Sequence, residues 1–287
     1  MNIHSILALI DGGNGSEAAM RAAIRVGLDF SAHVEVLHVE APAPAMLPVI
    51  TGDLSSTASM LDRLKEESDQ RKANAKAVFD SHCRDHGLNV IDHDVRQEPE
   101  GATFSWHLIS GHGNPELARR GRLVDLIIIA RAEEADGGVD SAILEAALFD
   151  TGRPVLIAGK GDDNGNIEHI AIAWDGSREA AHSIGFAMPF LRTAKEVTIM
   201  SVVDGNTISD SDRLQTYLRR HGIESQSVLV QRTGRTVARA LHDEVAARNI
   251  DMIVMGAYGH SAMGEFFFGG VTRDMLKTAD LPLVLAH

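Results

Sequence analysis

At 287 residues the chain exceeds one typical domain and suits two. Forty acidic residues against 27 basic ones give a net charge of -13, which excludes the electrostatic footprint of a protein for DNA, RNA or an anionic membrane. The single cysteine, Cys83, excludes an intrachain disulfide, no apolar stretch is long enough for a membrane span, and the apolar run at the start ends by Asp11 with no basic segment before it, so no signal peptide is expected and the cytoplasm is the expected compartment.

In chain order, residues 5–10 (SILALI) read as a buried strand closed by the turn DGGNG at 11–15. Ser16 is the expected N-cap of a helix whose Ala19, Ala23, Val26 and Phe30 share a face, and residues 33–39 (HVEVLHV) alternate as a second strand. Pro42, Pro44 and Pro48 open an irregular stretch. From Ser56 the apolar positions Met60, Leu61, Leu64, Ala75, Val78 and Phe79 keep helical spacing among many charges, which predicts one long, mostly exposed helix ending near Gly87. Such a helix covers a sheet with a solvated outer face or docks a partner. A strand at 104–109 and a short helix at 115–120 follow; GHGNPE at 111–116 is a broken GxGxxG and reads as a strand-to-helix turn.

The same order then returns. Residues 167–174 (IEHIAIAW) lead into Asp175-Gly176-Ser177, a helix through Ile184 and Met188, and a strand at 197–203; residues 226–232 read as a further strand and 236–248 as a helix. VDLIIIA at 124–130 answers IDMIVMG at 250–256, and RPVLIA at 153–158 answers LPLVLA at 281–286. Asp11 and Asp175 are 164 residues apart while Asp125 and Asp251 are 126 apart, so the first half carries about 38 extra residues after its second strand. A polar, glycine-rich linker, GKGDDNGN at 159–166, separates the halves, giving expected domains at 1–160, with a helical insertion around 43–80, and at 167–287. Strands alternating with helices at this spacing predict the α/β class, with parallel sheets covered by helices on both faces.

The second copy ends in the stretch most suggestive of a ligand. A strand closes at Gly256, a loop follows, and Gly269 and Gly270 open an amphipathic helix through Met275 and Leu276. Backbone N–H groups and the positive end of the dipole make a helix N-terminus attractive to anions, and glycine lets an oxygen approach the backbone. The lysine of a Walker A loop is absent.

Gly256, two residues, Gly259, nine residues and Gly269 resemble the G-2x-G-9x-G-[Ser/Thr] signature of the universal stress protein family, as do the flanking Met255 and the pair Val271-Thr272. One departure stands out: Gly270 occupies the position of the signature's Ser or Thr. The resemblance implies two tandem doubly wound domains, each an open five-stranded parallel sheet of order 3-2-1-4-5, and an adenine nucleotide, ATP or AMP, held in the second domain. Magnesium would accompany ATP. By the same comparison Asp175 would hydrogen-bond the nucleoside, Ala173 and Trp174 would wall the base, and Val202 would contact it. The bland alternatives are an Asx-turn or capping role for Asp175 and a packing role for Trp174. In the first domain Ala130-Arg131-Ala132 replaces the opening of the cradle, so that site is expected to be degenerate.

Rival readings are thinner. DGGNGS at 11–16 resembles the SGGxDS loop of ATP pyrophosphatases but starts with Asp and has Gly15 in place of that motif's Asp; GHSAMG at 259–264 has Met263 where a nucleophile elbow needs Gly; His82, Cys83, His86 and His93 lack a second cluster that would complete a zinc site; and Phe266, Phe267 and Phe268 read as an anchor for their loop. No general base or magnesium ligand pair emerges. The expected function is therefore a regulatory nucleotide-binding module and not a catalyst, the alternatives being a dimerisation or partner-docking stress protein, or a slow ATPase or phosphotransferase. Residues 154–158 and 282–286 read as apolar edge strands that need pairing, and the resemblance implies that they pair with each other as an intramolecular pseudo-dimer; a homodimer is a further expectation.

Overall fold

Because the apolar runs are buried on both faces, they assemble as the inner layer of a three-layer structure. The computed structural model describes residues 2–40, 54–92, 100–110, 113–131, 141–160, 166–205, 209–258 and 270–287. The first half runs β1 (Ser5–Leu9), α1 (Ser16–Phe30), β2 (His33–Glu40), α2 (Leu54–His86), β3 (Thr103–Ser110), α3 (Gly113–Gly121), β4 (Leu126–Ile129), α4 (Ser141–Glu145, continuing as a π-helical turn over Ala146–Asp150) and β5 (Val155–Ile157). The second runs β6 (His169–Ala173), α5 (Arg178–Thr193), β7 (Glu196–Val203), α6 (Ser211–Arg220), β8 (Gln226–Gln231), α7 (Val237–Arg248), β9 (Met252–Gly256), α8 (Gly270–Thr278) and β10 (Leu283–Ala286).

All ten strands form one sheet, ordered β3-β2-β1-β4-β5-β10-β9-β6-β7-β8, so each half has the order 3-2-1-4-5. Every pairing within a half is parallel, and the halves meet through the antiparallel pair β5–β10, with Leu283 opposite Ile157, Val284 opposite Leu156 and Leu285 opposite Val155. None of these six side chains is more than 1% exposed. One core cluster joins Ile6, Ala8, Ile128 and Leu156 to Ile170, Ile172 and Val254; the other joins Leu7, Ile127 and Ile157 to Ile253, Met255 and Leu285. Both cores therefore cross the seam, and the two apolar edges seal each other.

The duplication extends to polar detail. Asp125 Oδ2 accepts the backbone N–H groups of His4 (2.8 Å) and Ser5 (3.1 Å), and Asp251 Oδ2 accepts those of Glu168 (2.9 Å) and His169 (2.8 Å). In each half this aspartate satisfies the donors where the first strand begins.

One expectation needs correction. Ser16 is not the N-cap of α1: Gly15 is, without a side-chain cap bond. Fully buried, Ser16 instead accepts the Gly12 N–H at 3.0 Å and donates to Asp11 Oδ1 at 3.1 Å, closing the turn on itself. Ser177 is a genuine cap, accepting the Ala180 N–H at 3.1 Å. The long helix ends at His86, next to the expected Gly87, and its C-terminal half is the packing helix between β2 and β3, with Ala75 and Phe79 in the core; Met60 and Leu61, nearer its start, are 52% and 37% exposed. The proline-containing stretch before it lies outside the described residues, as do residues 111 and 112 of the GHGNPE turn.

Candidate functional site

In the second half the sequence reversal β9-β6-β7 places the crevice of an open parallel sheet at the carboxyl ends of β6 and β9. Ala173 ends β6, Trp174 and Asp175 follow it, Val202 lies near the end of β7, and Met255 and Gly256 end β9. Gly270, Val271 and Thr272 form the first turn of α8. Gly259, Gly269, the three phenylalanines at 266–268 and the elbow-like stretch lie outside the described residues. The described members thus gather at one sheet edge, but not with equal exposure: Asp175 and Gly270 are exposed, Ala173, Trp174, Val202, Gly256 and Val271 half-buried, and Met255 and Thr272 buried.

Ala173 and Val202 pack with the core on one face of the sheet and Trp174 with the core on the other, so the two neighbours at the end of β6 do not form one wall. Trp174 Nε1 donates to Asp210 Oδ1 at 2.6 Å, fixing the indole from the residue before α6. Asp175 Oδ1 accepts the Ser177 N–H at 2.9 Å, the Asx-turn that its bland reading calls for. Asp11 does the same for Gly13, also at 2.9 Å.

Gly256 is required by packing. A Cβ there would lie 2.5 Å from the Ala180 nitrogen and 2.7 Å from the Glu179 carbonyl carbon, so the first turn of α5 rests directly on the end of β9. Glu179, 7% exposed, lies in that contact; its own backbone N–H and the Arg178 guanidinium hold its carboxyl below the usual range, against the opposing effect of burial. In the first half the small residue has changed sides. Ala130 stands where the repeat has Gly256, and Gly15 faces it, a Cβ on Gly15 falling 2.9 Å from the Ala130 Cβ.

In the first half α2 packs on the backbone of the equivalent turn, while Asp11 itself is exposed. Arg71 of α2 approaches Asp11 Oδ2 at 3.5 Å, Asn74 Nδ2 donates to the Gly12 carbonyl at 3.4 Å, and Gly12, at φ +79°, is so close to the Arg71 carbonyl oxygen that a Cβ would lie 1.9 Å from it. In the second half the counterpart turn, at Gly176, would place a Cβ no nearer than 3.7 Å to Asp210 Oδ1.

Other candidates come apart. His82 and His86 do share a helix face, with rings stacked 5.6 Å apart, but His82 Nε2 is 2.7 Å from Glu17 Oε2, and among the described residues no three His, Cys, Asp or Glu side chains gather as a metal site. Burial pushes the Cys83 thiol up to about 11. No described helix is long and apolar enough to cross a membrane.

Residues 166–287 match the model of the Universal stress protein family. The second half is a universal stress protein domain. No curated protein matches the chain by sequence. The fold continues through the first half: the chain is similar to the crystal structure of a universal stress protein from Archaeoglobus fulgidus DSM 4304 at 17% identity and a TM-score of 0.64, covering 98% of this chain and 97% of that one. A putative universal stress protein from Pseudomonas aeruginosa UCBPP-PA14 is similar at 14% identity and a TM-score of 0.57, covering 99% of this chain and 93% of that one. The fold of these two structures thus extends over both halves of the chain.

Side chains that sequence reasoning missed are those reached through space. Asp210 has no motif around it, and Arg71 and Asn74 sit in a helix whose pattern signals only its own amphipathicity. Arg131 carries a signal of its own, a charge directly after an unbroken apolar run.

Proposed function

We propose that this universal stress protein is a cytoplasmic regulatory module that binds one adenine nucleotide per chain, in the second of two domains spanning 1–160 and 167–287, and is not a catalyst. The site would comprise Asp175 toward the nucleoside, Ala173, Trp174 and Val202 around the base, and Met255, Gly256, Gly259, Gly269, Gly270, Val271 and Thr272 at the phosphates, with magnesium if the ligand is ATP. The observation that carries this reading is the asymmetry of the two turns: α2 packs on Gly12, where a Cβ would lie 1.9 Å from the Arg71 carbonyl oxygen, whereas a Cβ at Gly176 would come no nearer than 3.7 Å to any described residue, and Gly270 at the start of α8 is exposed. An exposed helix N-terminus offers unpaired N–H groups and about half a positive charge to an anion. Calorimetry on the full chain tests it, with one equivalent of ATP or AMP expected; two equivalent sites would overturn the asymmetry, and no heat with either would overturn the nucleotide reading.

A further inference from the structure

Arg131 follows β4 at the repeat position that Ala257 holds in the second half, and it is only 4% exposed. Its guanidinium reaches into the other half. Nη1 donates to the carbonyls of Met275, at 3.3 Å, and of Leu276, both in the last turn of α8. Those carbonyls are the negative end of the helix whose positive end would meet the phosphates. Lys160, beyond β5, adds a second cation there, its Nζ donating to the Lys277 carbonyl at 3.3 Å.

The cost of placing Arg131 there is visible. Burial pulls its pKa down to about 10 against the favourable charge of Asp280, and among the described residues its Nε and Nη2 have no hydrogen-bond partner. A buried charge with unmet donors lowers stability, so simple packing does not account for it.

A contact in the opposite direction meets it. Tyr258, between Gly256 and Gly259 and at φ +67°, packs its ring 5.1 Å from that of Phe149, at the end of the first half's last helical segment. Phe149 is also 4.6 Å from the ring of His287, whose Nδ1 is 3.1 Å from the Ala257 carbonyl. The segment leaving β9 and the far end of α8 are therefore both fixed by the first half.

We infer that Arg131 is a positioning residue for the nucleotide site of the other half: by neutralising and anchoring the C-terminal turn of α8, it sets the N-terminal turn against the phosphates. This rests on the nucleotide reading above. A nine-residue helix is about 13 Å long, so Arg131 acts through the helix and not by contact, and ligands without phosphates should not sense it.

The test uses the full-length chain with Arg131→Met, which keeps an unbranched apolar side chain, Arg131→Lys, which keeps the charge, and Phe149→Leu on the opposing contact. Hydrogen exchange without nucleotide should be faster in α8 for Arg131→Met, with α5 unchanged, and Arg131→Lys should restore most of the protection. By calorimetry Arg131→Met should weaken ATP by about two- to fivefold, the effect of one charge on a helix terminus, and leave adenosine unchanged. Phe149→Leu should loosen residues 257 and 258, and it serves as the second arm if Arg131→Met does not fold. Unchanged exchange in α8, or equal weakening of ATP and adenosine, would overturn the inference. If the unmodified chain binds neither ligand, the nucleotide reading fails on its own, and exchange in α8 still decides whether Arg131 anchors the helix.

Discussion

Replacing Gly256 by alanine separates two reasons for a glycine at the mouth of the proposed nucleotide site. If the glycine exists to admit a phosphate, Gly256→Ala leaves the free protein intact and weakens only the ligand. The geometry predicts otherwise. The new methyl would lie 2.5 Å from the Ala180 nitrogen and 2.7 Å from the Glu179 carbonyl carbon, both backbone atoms in the capped first turn of α5, so no rotamer change relieves the clash. Either α5 or β9 must shift, and overpacking of this kind costs about 1–3 kcal/mol. For a domain of this size each kcal/mol lowers the melting temperature by about 2–4 °C, so a fall of about 2–12 °C is expected in nucleotide-free protein. Gly15→Ala should behave alike in the first half, where a Cβ would lie 2.6 Å from the Arg131 carbonyl oxygen. Calorimetric melting of the two variants without ligand is the assay. A Gly256→Ala protein that melts like the parent but no longer binds nucleotide would refute the packing argument.

Three further outcomes are expected. A Cβ at Gly270 meets none of the described residues within 4 Å, so Gly270→Ser should fold normally and, by restoring a hydroxyl donor to a charged group, tighten ATP about tenfold to a hundredfold and AMP less; Asp175→Ala should weaken both, and titration calorimetry reads each. Hydrogen bonds from Arg119 and Arg120 hold the Glu116 carboxyl at about 2 against an ordinary 4.5, and because a depressed folded-state pKa stabilises above the unfolded value, that contribution should vanish as the pH falls from about 4.5 to 2; Glu116→Gln should flatten this part of the melting curve against pH, and an unaltered curve would contradict it. Solution scattering should report one body in which the halves do not move independently, since β5 and β10 share a sheet; two flexibly tethered lobes would contradict the seam.

The elements were legible because their signals are local. Buried strands such as 126–129 and 252–256 are unbroken apolar runs, and the helices show apolar positions at helical spacing, so the α/β alternation and its repetition could be read from single segments. The repeat also pointed to Asp125 and Asp251 without disclosing that each accepts two backbone N–H groups. Polar contacts between distant segments leave no periodicity in the chain. Nothing near Trp174 announces Asp210, and nothing near Asp11 announces Arg71, sixty positions away. Ser16 misled for a related reason: its turn is longer than the Asp175-Gly176-Ser177 turn, so a serine at the mouth of the helix closes the loop in one half and caps the helix in the other.

The differences between the halves have a common physical logic. Ala130 in place of Gly256 looks, in the sequence, like decay of a binding motif, yet Gly15 supplies from the opposite side the space that the strand-to-helix contact needs, so the packing survives the exchange. Gly12 lies under α2, whose Ala75 and Phe79 anchor it in the core, and the exposed Asp11–Arg71 pair adds little to hold it there. At the end of β4 the small Ala130 is followed by the buried charge of Arg131, which finds acceptors. Those acceptors lie across the β5–β10 seam, at the end of α8. On the proposed nucleotide reading, loss of one site and support of the other would both follow from a helix packed on one turn and a sheet continuous between the halves, since a chain whose halves did not share strands would offer Arg131 no such acceptors.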